Sequence, residues 1–184
     1  MDISNKNKID LNTVSITVIG LGKSGEAAAK LGNYLGAKIF LSDGGSTPDI
    51  MERQERLFSM GISVEIGGHS DKIFNADLWV LSPGIPQDAD IVLNAKEKGI
   101  PVIGEIEFAS WFTQDPIVAL TGSNGKTTSV HLLTEMCATE NLSPALSGNV
   151  GTAFSEVILM DLRDKPTHRV HILEISSFHM EYIV

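Results

Sequence analysis

The chain has 184 residues, which is enough for one large domain or two small ones and too few for a large multidomain machine. Its 14 lysines and arginines stand against 23 aspartates and glutamates. The resulting formal net charge of -9 provides no basic surface for a nucleic-acid backbone. Hydrophobic residues make up 42% of the chain, so a buried core can form and a mainly disordered chain is excluded.

Cysteine content and hydropathy indicate the compartment. Cys137 is the single cysteine, so no disulfide can form within the chain, and we expect a reducing environment. Residues 1–13 are polar and do not resemble a signal peptide, and no segment reaches the roughly 18 apolar residues of a membrane span. We therefore expect a cytoplasmic protein with no membrane or nucleic-acid partner. We also expect a monomer.

Short apolar segments alternate with helix-like segments along the whole chain. Nearly uninterrupted apolar strands are typical of parallel sheets that are buried on both faces. The predicted strands are residues 14–19, 39–42, 78–82, 117–121 and 170–175. The predicted helices are residues 26–35, 49–60, 89–98, 105–112 and 126–140. This order predicts an α/β fold with right-handed crossovers.

A polar turn with a proline, residues 113–116 (TQDP), is the best place to divide the chain. A glycine-rich loop of the nucleotide-binding kind lies on each side of it. We therefore predict two domains, residues 1–113 and 114–184. The last apolar segment has no capping or turn signal, so we expect the second domain to be incomplete.

The first glycine loop, residues 20–25 (GLGKSG), follows a predicted strand and begins a predicted helix. Its glycines permit a tight turn and bring backbone N–H groups close to a phosphate at the positive end of the helix dipole. Asp43 ends the next strand, about 20 residues further on, where an acidic residue often meets a ribose or a base. Dinucleotide binding, another phosphorylated ligand and a purely structural glycine turn all remain open.

A further loop, residues 82–86 (SPGIP), follows the third predicted strand. It should lie at the same carboxyl edge of the sheet, where folds of this class bind ligands. A plain proline turn explains the residues equally well.

The second glycine loop, residues 121–128 (TGSNGKTT), has a more specific pattern. Two glycines flank a short loop that ends in Gly-Lys-Thr between a strand and a helix. This arrangement directs backbone N–H groups and the Lys126 ammonium at a polyphosphate, and it offers the Thr127 hydroxyl to Mg²⁺. The loop is two residues shorter than the usual phosphate loop, so it is a variant. Glu174, at the end of the last strand, is a candidate second Mg²⁺ ligand.

These motifs occur in a fixed order together with residues 148–151 (GNVG) and 174–178 (EISSF). In combination they closely resemble the Mur ligases, over nearly the whole chain from Val14 onward. The resemblance implies a Rossmann-like UDP-substrate domain, residues 1–113, and part of a P-loop-type ATPase domain, residues 114–184. It also implies ATP-dependent amide formation through an acyl phosphate, in peptidoglycan precursor synthesis. The motifs fit best those members that add D-glutamate to UDP-N-acetylmuramoyl-L-alanine.

The resemblance also implies roles for individual residues. The UDP-substrate would be bound by Gly20, Gly22, Ser24, Gly25, Asp43, Ser82, Pro83 and Gly84, with Asn149, Ser176 and Ser177 facing its muramoyl part. ATP would be bound by Gly122, Ser123, Asn124, Gly125, Lys126, Thr127 and Thr128. Lys126 and Glu174 would be the catalytic residues, and Thr127 with Glu174 would hold Mg²⁺.

Three departures from the family pattern stand out. His179 takes the place of a usual glutamine, and Gly44 and Gly45 follow Asp43 where related enzymes often have polar or basic side chains. The chain also ends before the family's downstream histidine, its carbamylated lysine and the domain that receives D-glutamate. We therefore expect the 184 residues to bind substrate without turnover, and we expect an apolar face of the second domain to be exposed.

Other functions remain as alternatives at this stage. They are a binding module for the UDP-sugar, an alanine-adding relative within the family, and an NAD-dependent dehydrogenase, which the first glycine loop alone would favour. We interpret Cys137 as a buried thiol, Trp79 and Trp111 as core aromatics, and His131, His168 and His171 as surface or packing residues. His69 is interpreted as a turn residue, with contact to the ligand as the alternative.

Overall fold

A computed structural model describes residues 9–138 and 141–183, in which strands and helices alternate along the chain. The strands are β1 (Ser15–Ile19), β2 (Lys38–Asp43), β3 (Ser63–Ile66), β4 (Leu78–Leu81), β5 (Val102–Gly104), β6 (Ile117–Leu120), β7 (Ser143–Gly148) and β8 (Arg169–Glu174). The helices are α1 (Lys23–Tyr34), α2 (Pro48–Ser59), α3 (Asp90–Glu97), α4 (Glu105–Ser110), α5 (Lys126–Cys137), α6 (Phe154–Asp164) and α7 (Ser177–Met180). The predicted α/β class with parallel sheets is confirmed.

Strands β1 to β5 form a parallel sheet in the order β3-β2-β1-β4-β5. Leu41 and Val80, on the two strands that flank β1, are completely buried, as expected for a sheet covered on both faces. The chain runs outward from β1 to β3 and then returns to β4 on the other side of β1. The carboxyl ends of β1 and β4 therefore flank the crevice in which sheets of this topology bind ligands.

Strands β6, β7 and β8 form a second parallel sheet, with β8 in the centre. Its pairing register aligns Glu174, at the end of β8, with both Leu120 on β6 and Gly148 on β7. All three strands therefore end at the same level. The loops that follow β6 and β7 begin on either side of the Glu174 carboxylate.

Helix α6 joins the two sheets, because it packs against α1 and α4 from the first part of the chain. A single cluster of buried apolar side chains contains Phe108 from α4, Phe154 and Ile158 from α6, and Leu173 from β8. The two sheets thus share a hydrophobic core at their junction. The division of the chain into domains 1–113 and 114–184 stays a prediction.

The second sheet has an exposed apolar side. Leu132 and Met136 on α5 are 60% and 69% exposed, and Ile117 and Val118 on the edge strand β6 are about 40% exposed. Cys137 lies on this weakly packed helix and is only partly buried. The prediction of a buried thiol is therefore wrong, because the apolar residues around it do not close over the helix.

Most predicted elements are present, with ends displaced by a few residues. Strands β3, β5 and β7 and helices α6 and α7 were not predicted, and the predicted end of the α5 helix at Glu140 lies outside the described residues. Trp79 and Trp111 are buried, as predicted, and so is the packing residue His171, whereas His131 and His168 lie on the surface. Within the two described ranges no helix is long and apolar enough to cross a membrane.

Candidate functional site

The first glycine loop and the Ser82-Pro83-Gly84 turn meet at the crevice between β1 and β4. Gly20, which directly follows β1, has a φ of 95° and donates its N–H to the carbonyl of Ser42 at 2.9 Å. The Ser82 hydroxyl donates to the carbonyl of Gly20 at 2.9 Å. The two loops predicted to bind the UDP-substrate are thus bonded to each other.

These loop residues differ in what they present to a ligand. Gly20, Gly25 and Ser82 are buried, because α1 packs tightly beneath the loop. Gly22 and Gly84 are exposed, and Ser24 is half-buried. The exposed part of the loop therefore offers Gly22 and Ser24 to a phosphate, while Gly20, Gly25 and Ser82 shape the loop from below.

Asp43 connects two loops at the end of β2. One carboxylate oxygen accepts the backbone N–H of Leu21 in the first glycine loop, at 2.5 Å, and the other accepts that of Gly45, at 2.7 Å. Both oxygens are therefore engaged with the backbone. Asp43 thus holds the first glycine loop and the loop after β2 in position. One lone pair on each of its oxygens is still available to a ligand.

The second glycine loop begins helix α5. Gly122, Ser123, Asn124, Gly125, Thr127 and Thr128 are exposed, and Lys126 is half-buried. Gly125 is the N-cap of α5 and has a φ of 77°, a conformation that residues other than glycine rarely adopt. The Lys126 ammonium donates to the carbonyl of Gly122 at 2.6 Å, so the loop encloses its own lysine. The backbone N–H groups at the start of α5 form the kind of site that binds phosphate.

Glu174 unites the second glycine loop with the loop after β7. Its carboxylate accepts the Thr127 hydroxyl at 2.7 Å and the Asn149 side-chain amide at 2.8 Å. These two hydrogen bonds, with Asn149 making the larger contribution, lower the pKa of Glu174 below its ordinary value. The carboxylate is therefore ionised at neutral pH, although the residue is only 2% exposed.

A cleft of about 320 Å³ lies between the two sheets. It brings together predicted site residues from distant parts of the chain, namely Ser24, Pro83 and Asn149, and it is also lined by Lys23, Gly148, Val150, Gly151, Ala153 and His179. Asp43, Gly84, Ser176, Ser177 and the second glycine loop do not line this cleft. Asn149 therefore connects the two predicted ligand sites, because it lines the cleft and donates a hydrogen bond to Glu174.

The sequence of this chain is similar to those of a known protein family. Residues 14–104 match the family described as the N-terminal domain of MurD-like Mur ligases. The chain belongs to the Mur ligase family. It is 41% identical over 170 residues to the UDP-N-acetylmuramoylalanine–D-glutamate ligase of Chlorobaculum tepidum, covering 90% of this chain and 35% of that protein. The ligase of the same name from Bdellovibrio bacteriovorus is 39% identical over 178 residues, covering 96% of this chain and 38% of that protein.

This Mur ligase chain thus spans little more than a third of the length of these relatives. Solved structures of the same family share its fold. UDP-N-acetylmuramate-alanine ligase MurC from Thermotoga maritima matches with a TM-score of 0.52 and 20% identity, over 92% of this chain and 39% of that chain. A murein peptide ligase from Psychrobacter arcticus matches with a TM-score of 0.54 and 17% identity, over 90% of this chain and 39% of that chain.

His179, one of the three departures from the family pattern, is the third residue of the short helix α7 and completes a capping box with the N-cap residue Ser176. Its Nδ1 accepts the backbone N–H of Ser176 at 3.2 Å and lies 2.7 Å from the Ser176 hydroxyl. Burial lowers the pKa of His179, so the ring is neutral and carries its proton on Nε2. The imidazole therefore accepts with one nitrogen and donates with the other, as a glutamine amide can. Ser176 is occupied in this cap, whereas Ser177 is exposed.

Lys23 is a cleft residue that the sequence reasoning missed. It occupies a variable position of the first glycine motif, begins α1, and lines both the 320 Å³ cleft and an adjacent cleft of about 280 Å³. A basic side chain within a phosphate-binding motif is the signal that could have revealed it. Lys23 therefore adds positive charge to the lining of both clefts.

Proposed function

We propose that the complete protein is an ATP-dependent ligase that joins D-glutamate to UDP-N-acetylmuramoyl-L-alanine in the cytoplasm, as the names of its relatives indicate. In this proposal the first sheet binds the UDP-substrate, through the loops that follow β1, β2 and β4. The second sheet binds ATP through residues Gly122 to Thr128. The γ-phosphoryl group of ATP passes to the substrate carboxylate and ADP is released; the amine of D-glutamate then attacks the acyl phosphate, forms the amide, and releases inorganic phosphate and a proton.

The observation that carries this proposal is the set of contacts around Glu174. Thr127, from the phosphate loop, and Asn149, from the edge of the cleft, both donate to the same buried carboxylate. An acyl-phosphate reaction requires that the γ-phosphate and the substrate carboxylate meet in line. Glu174 connects the proposed ATP loop, through Thr127, with the proposed substrate cleft, through Asn149, and this connection supports a meeting of the two reactants beside Glu174.

The donor atoms at this point fit Mg²⁺. The ionised Glu174 carboxylate and the Thr127 hydroxyl are hard oxygen ligands, the type that Mg²⁺ prefers. A bound Mg²⁺ would neutralise negative charge between the phosphates and the substrate carboxylate. Within the described ranges no group of three or more His, Cys, Asp and Glu residues could hold a metal ion, so the remaining ligands would come from phosphate and water.

Lys126 supplies the second cationic contribution. Its ammonium has to leave the Gly122 carbonyl and turn to the terminal phosphates of ATP. There it stabilises the charge that develops on the transferring phosphoryl group. Asn149 acts differently, since it holds the Glu174 carboxylate in place from the substrate side.

Replacing Lys126 with alanine is expected to weaken MgATP binding at least about tenfold, because a charge-assisted contact to phosphate is lost. Binding of UDP-N-acetylmuramoyl-L-alanine should be nearly unchanged. Calorimetric titration of the 184-residue chain with each ligand measures both effects, and Lys96→Ala, an exposed lysine on α3, is the matched control. Comparable loss of both ligands would contradict the proposed division of labour. In a separate thermal-stability measurement, equal or stronger stabilisation by NAD than by the UDP-substrate would overturn the ligase assignment.

Replacing Thr127 with valine is expected to remove most of the benefit of Mg²⁺ for ATP binding. The hydroxyl that contacts Glu174 is lost while the side-chain volume is kept. ATP affinity, measured with Mg²⁺ and with EDTA, should therefore differ much less in Thr127→Val than in the wild type. Thr127→Ser keeps a hydroxyl and should preserve the difference. An unchanged Mg²⁺ dependence in the valine variant would exclude Thr127 as a ligand.

A further inference from the structure

The ring of His69 is held at the carboxyl end of β2, outside the set of predicted substrate residues. His69 Nδ1 lies 2.8 Å from the hydroxyl of Ser42, which is completely buried on β2. The His69 side chain itself is exposed. A buried anchor and an exposed ring edge are features of a positioned binding group, whereas a simple turn residue needs no such anchor.

Hydrogen-bond chemistry determines which nitrogen of His69 carries the proton. The Ser42 hydroxyl has one hydrogen, and it lies 3.1 Å from a carboxylate oxygen of Glu65 and 3.3 Å from the carbonyl of Gly68. Both of these groups only accept when Glu65 is ionised. Burial raises the pKa of Glu65, but the hydrogen bonds from Ser70 and Ser42 outweigh it and the pKa is lowered. Ser42 therefore donates to these acceptors, and His69 donates to Ser42 through Nδ1.

Because Nδ1 donates in this assignment, Nε2 is the nitrogen that accepts in the imidazole form of the ring. Its surroundings show where that acceptor lies, since a methyl group built on Gly44 would be 3.4 Å from Nε2. The ring edge therefore stands beside the exposed backbone of Gly44, the residue that directly follows Asp43. Asp43 is in turn bonded to the first glycine loop through Leu21. In sheets of this topology the nucleoside of a bound nucleotide lies at the end of β2, with its phosphates at the loop after β1.

We propose that His69 reads the pyrimidine base of the UDP-linked substrate, with Nε2 accepting the N3–H of uracil beside Gly44. This inference rests on the proposed function, because it assumes a UDP-substrate in the cleft of the first sheet. Uracil carries a hydrogen on N3, whereas cytosine presents a bare acceptor nitrogen there. Two acceptors that face each other repel, so a His69 acceptor selects uracil against cytosine. The glycine at position 44 leaves room for the ring to approach the base.

The test compares the binding of UDP and CDP by calorimetry to the full 184-residue chain. The wild type should prefer UDP, and His69→Ala should lose about tenfold in UDP affinity while CDP affinity stays constant. His69→Gln retains an acceptor oxygen and should recover part of the preference. Gly44→Ala is a second variant that keeps His69 but places a methyl group against Nε2, and it should also weaken UDP binding. His131→Ala, an exposed histidine on α5, is the control.

The outcomes distinguish a failure of the His69 assignment from a failure of the proposed function. A wild-type chain that binds neither UDP nor UDP-N-acetylmuramoyl-L-alanine would overturn the proposed function and this inference with it. A chain that binds UDP, but whose preference over CDP is unchanged in His69→Ala, would overturn the His69 assignment alone. Equal loss of UDP and CDP affinity would show that His69 merely supports the loop, which also contradicts base recognition.

Discussion

Replacing Gly25 with alanine is expected to destabilise the chain by about 3 kcal/mol or more, because the added methyl group collides with backbone. An alanine Cβ at this position would lie 1.8 Å from the carbonyl oxygen of Gly20 and 2.7 Å from the Ser82 hydroxyl oxygen. Neither neighbour can move freely, since Gly20 is bonded to Ser42 and Ser82 is bonded to Gly20. The strain would therefore spread to the ends of β1, β2 and β4. Urea unfolding of the variant measures this loss.

Gly22→Ala is the matched control within the same motif. Nothing lies within 4 Å of an added Cβ at Gly22, and its φ of -84° suits any residue. The cost in stability should be below about 1 kcal/mol, the loss of a favourable helix N-cap glycine. UDP affinity should nevertheless fall about tenfold, because the methyl group occupies the exposed side where backbone approaches a phosphate. Equal stability of the two alanine variants would contradict the packing described for the loop.

The two variants also show what the glycine motif does and does not reveal. The spacing predicted a loop between a strand and a helix, and the structure has that loop. The spacing alone does not show how close the packing at Gly25 is, because the two contacts of an added methyl group depend on where the fold places the Gly20 carbonyl and Ser82, a residue far away in sequence. The sequence likewise gives no sign that the carboxylate of Asp43 accepts hydrogen bonds from the backbone amides of Leu21 and Gly45.

The elements that were not predicted lack local signals. Strand β7, of sequence SPALSG, contains a proline and a glycine and forms only because it is an edge strand beside β8. Helix α6 follows Ala153 at its N-cap, which offers no side-chain hydrogen bond to the first turn. Tertiary packing on α1 and α4 stabilises α6 instead. Periodicity was sufficient for the buried central strands, where hydrophobic burial and local pattern agree.

The contacts at the junction of the two sheets also could not be predicted from the sequence, because they depend on how the elements pack in the fold. Glu105 is the first residue of α4, a position at which a carboxylate usually meets solvent. It is 2% exposed, and its carboxylate accepts the backbone N–H of Ser155 in α6. Burial, partly offset by the hydrogen bonding from Ser155, raises the pKa of Glu105 to about 7.

This raised pKa predicts that stability falls as the pH rises. With an ordinary pKa of 4.5 in the unfolded chain, the folded state binds more protons between pH 4.5 and 7. The free energy of unfolding should therefore decrease across that window, by about 3 kcal/mol from this group. The loss is complete above pH 7, where the buried carboxylate is ionised between α4 and α6.

Glu105→Gln should remove this contribution, because a glutamine oxygen still accepts from Ser155 and the side chain stays neutral at every pH. The variant should be more stable than the wild type at pH 8 and close to it at pH 5, as measured by urea unfolding at both values. Glu97→Gln, at an exposed acid on α3, should leave the wild-type pH dependence intact.

The buried histidines do not produce a loss of stability at alkaline pH. Burial lowers the pKa values of His171 and His179, so these groups destabilise the fold only as the pH falls. A difference between Glu105→Gln and wild type that is the same at pH 5 and pH 8 would show that Glu105 does not titrate within the fold.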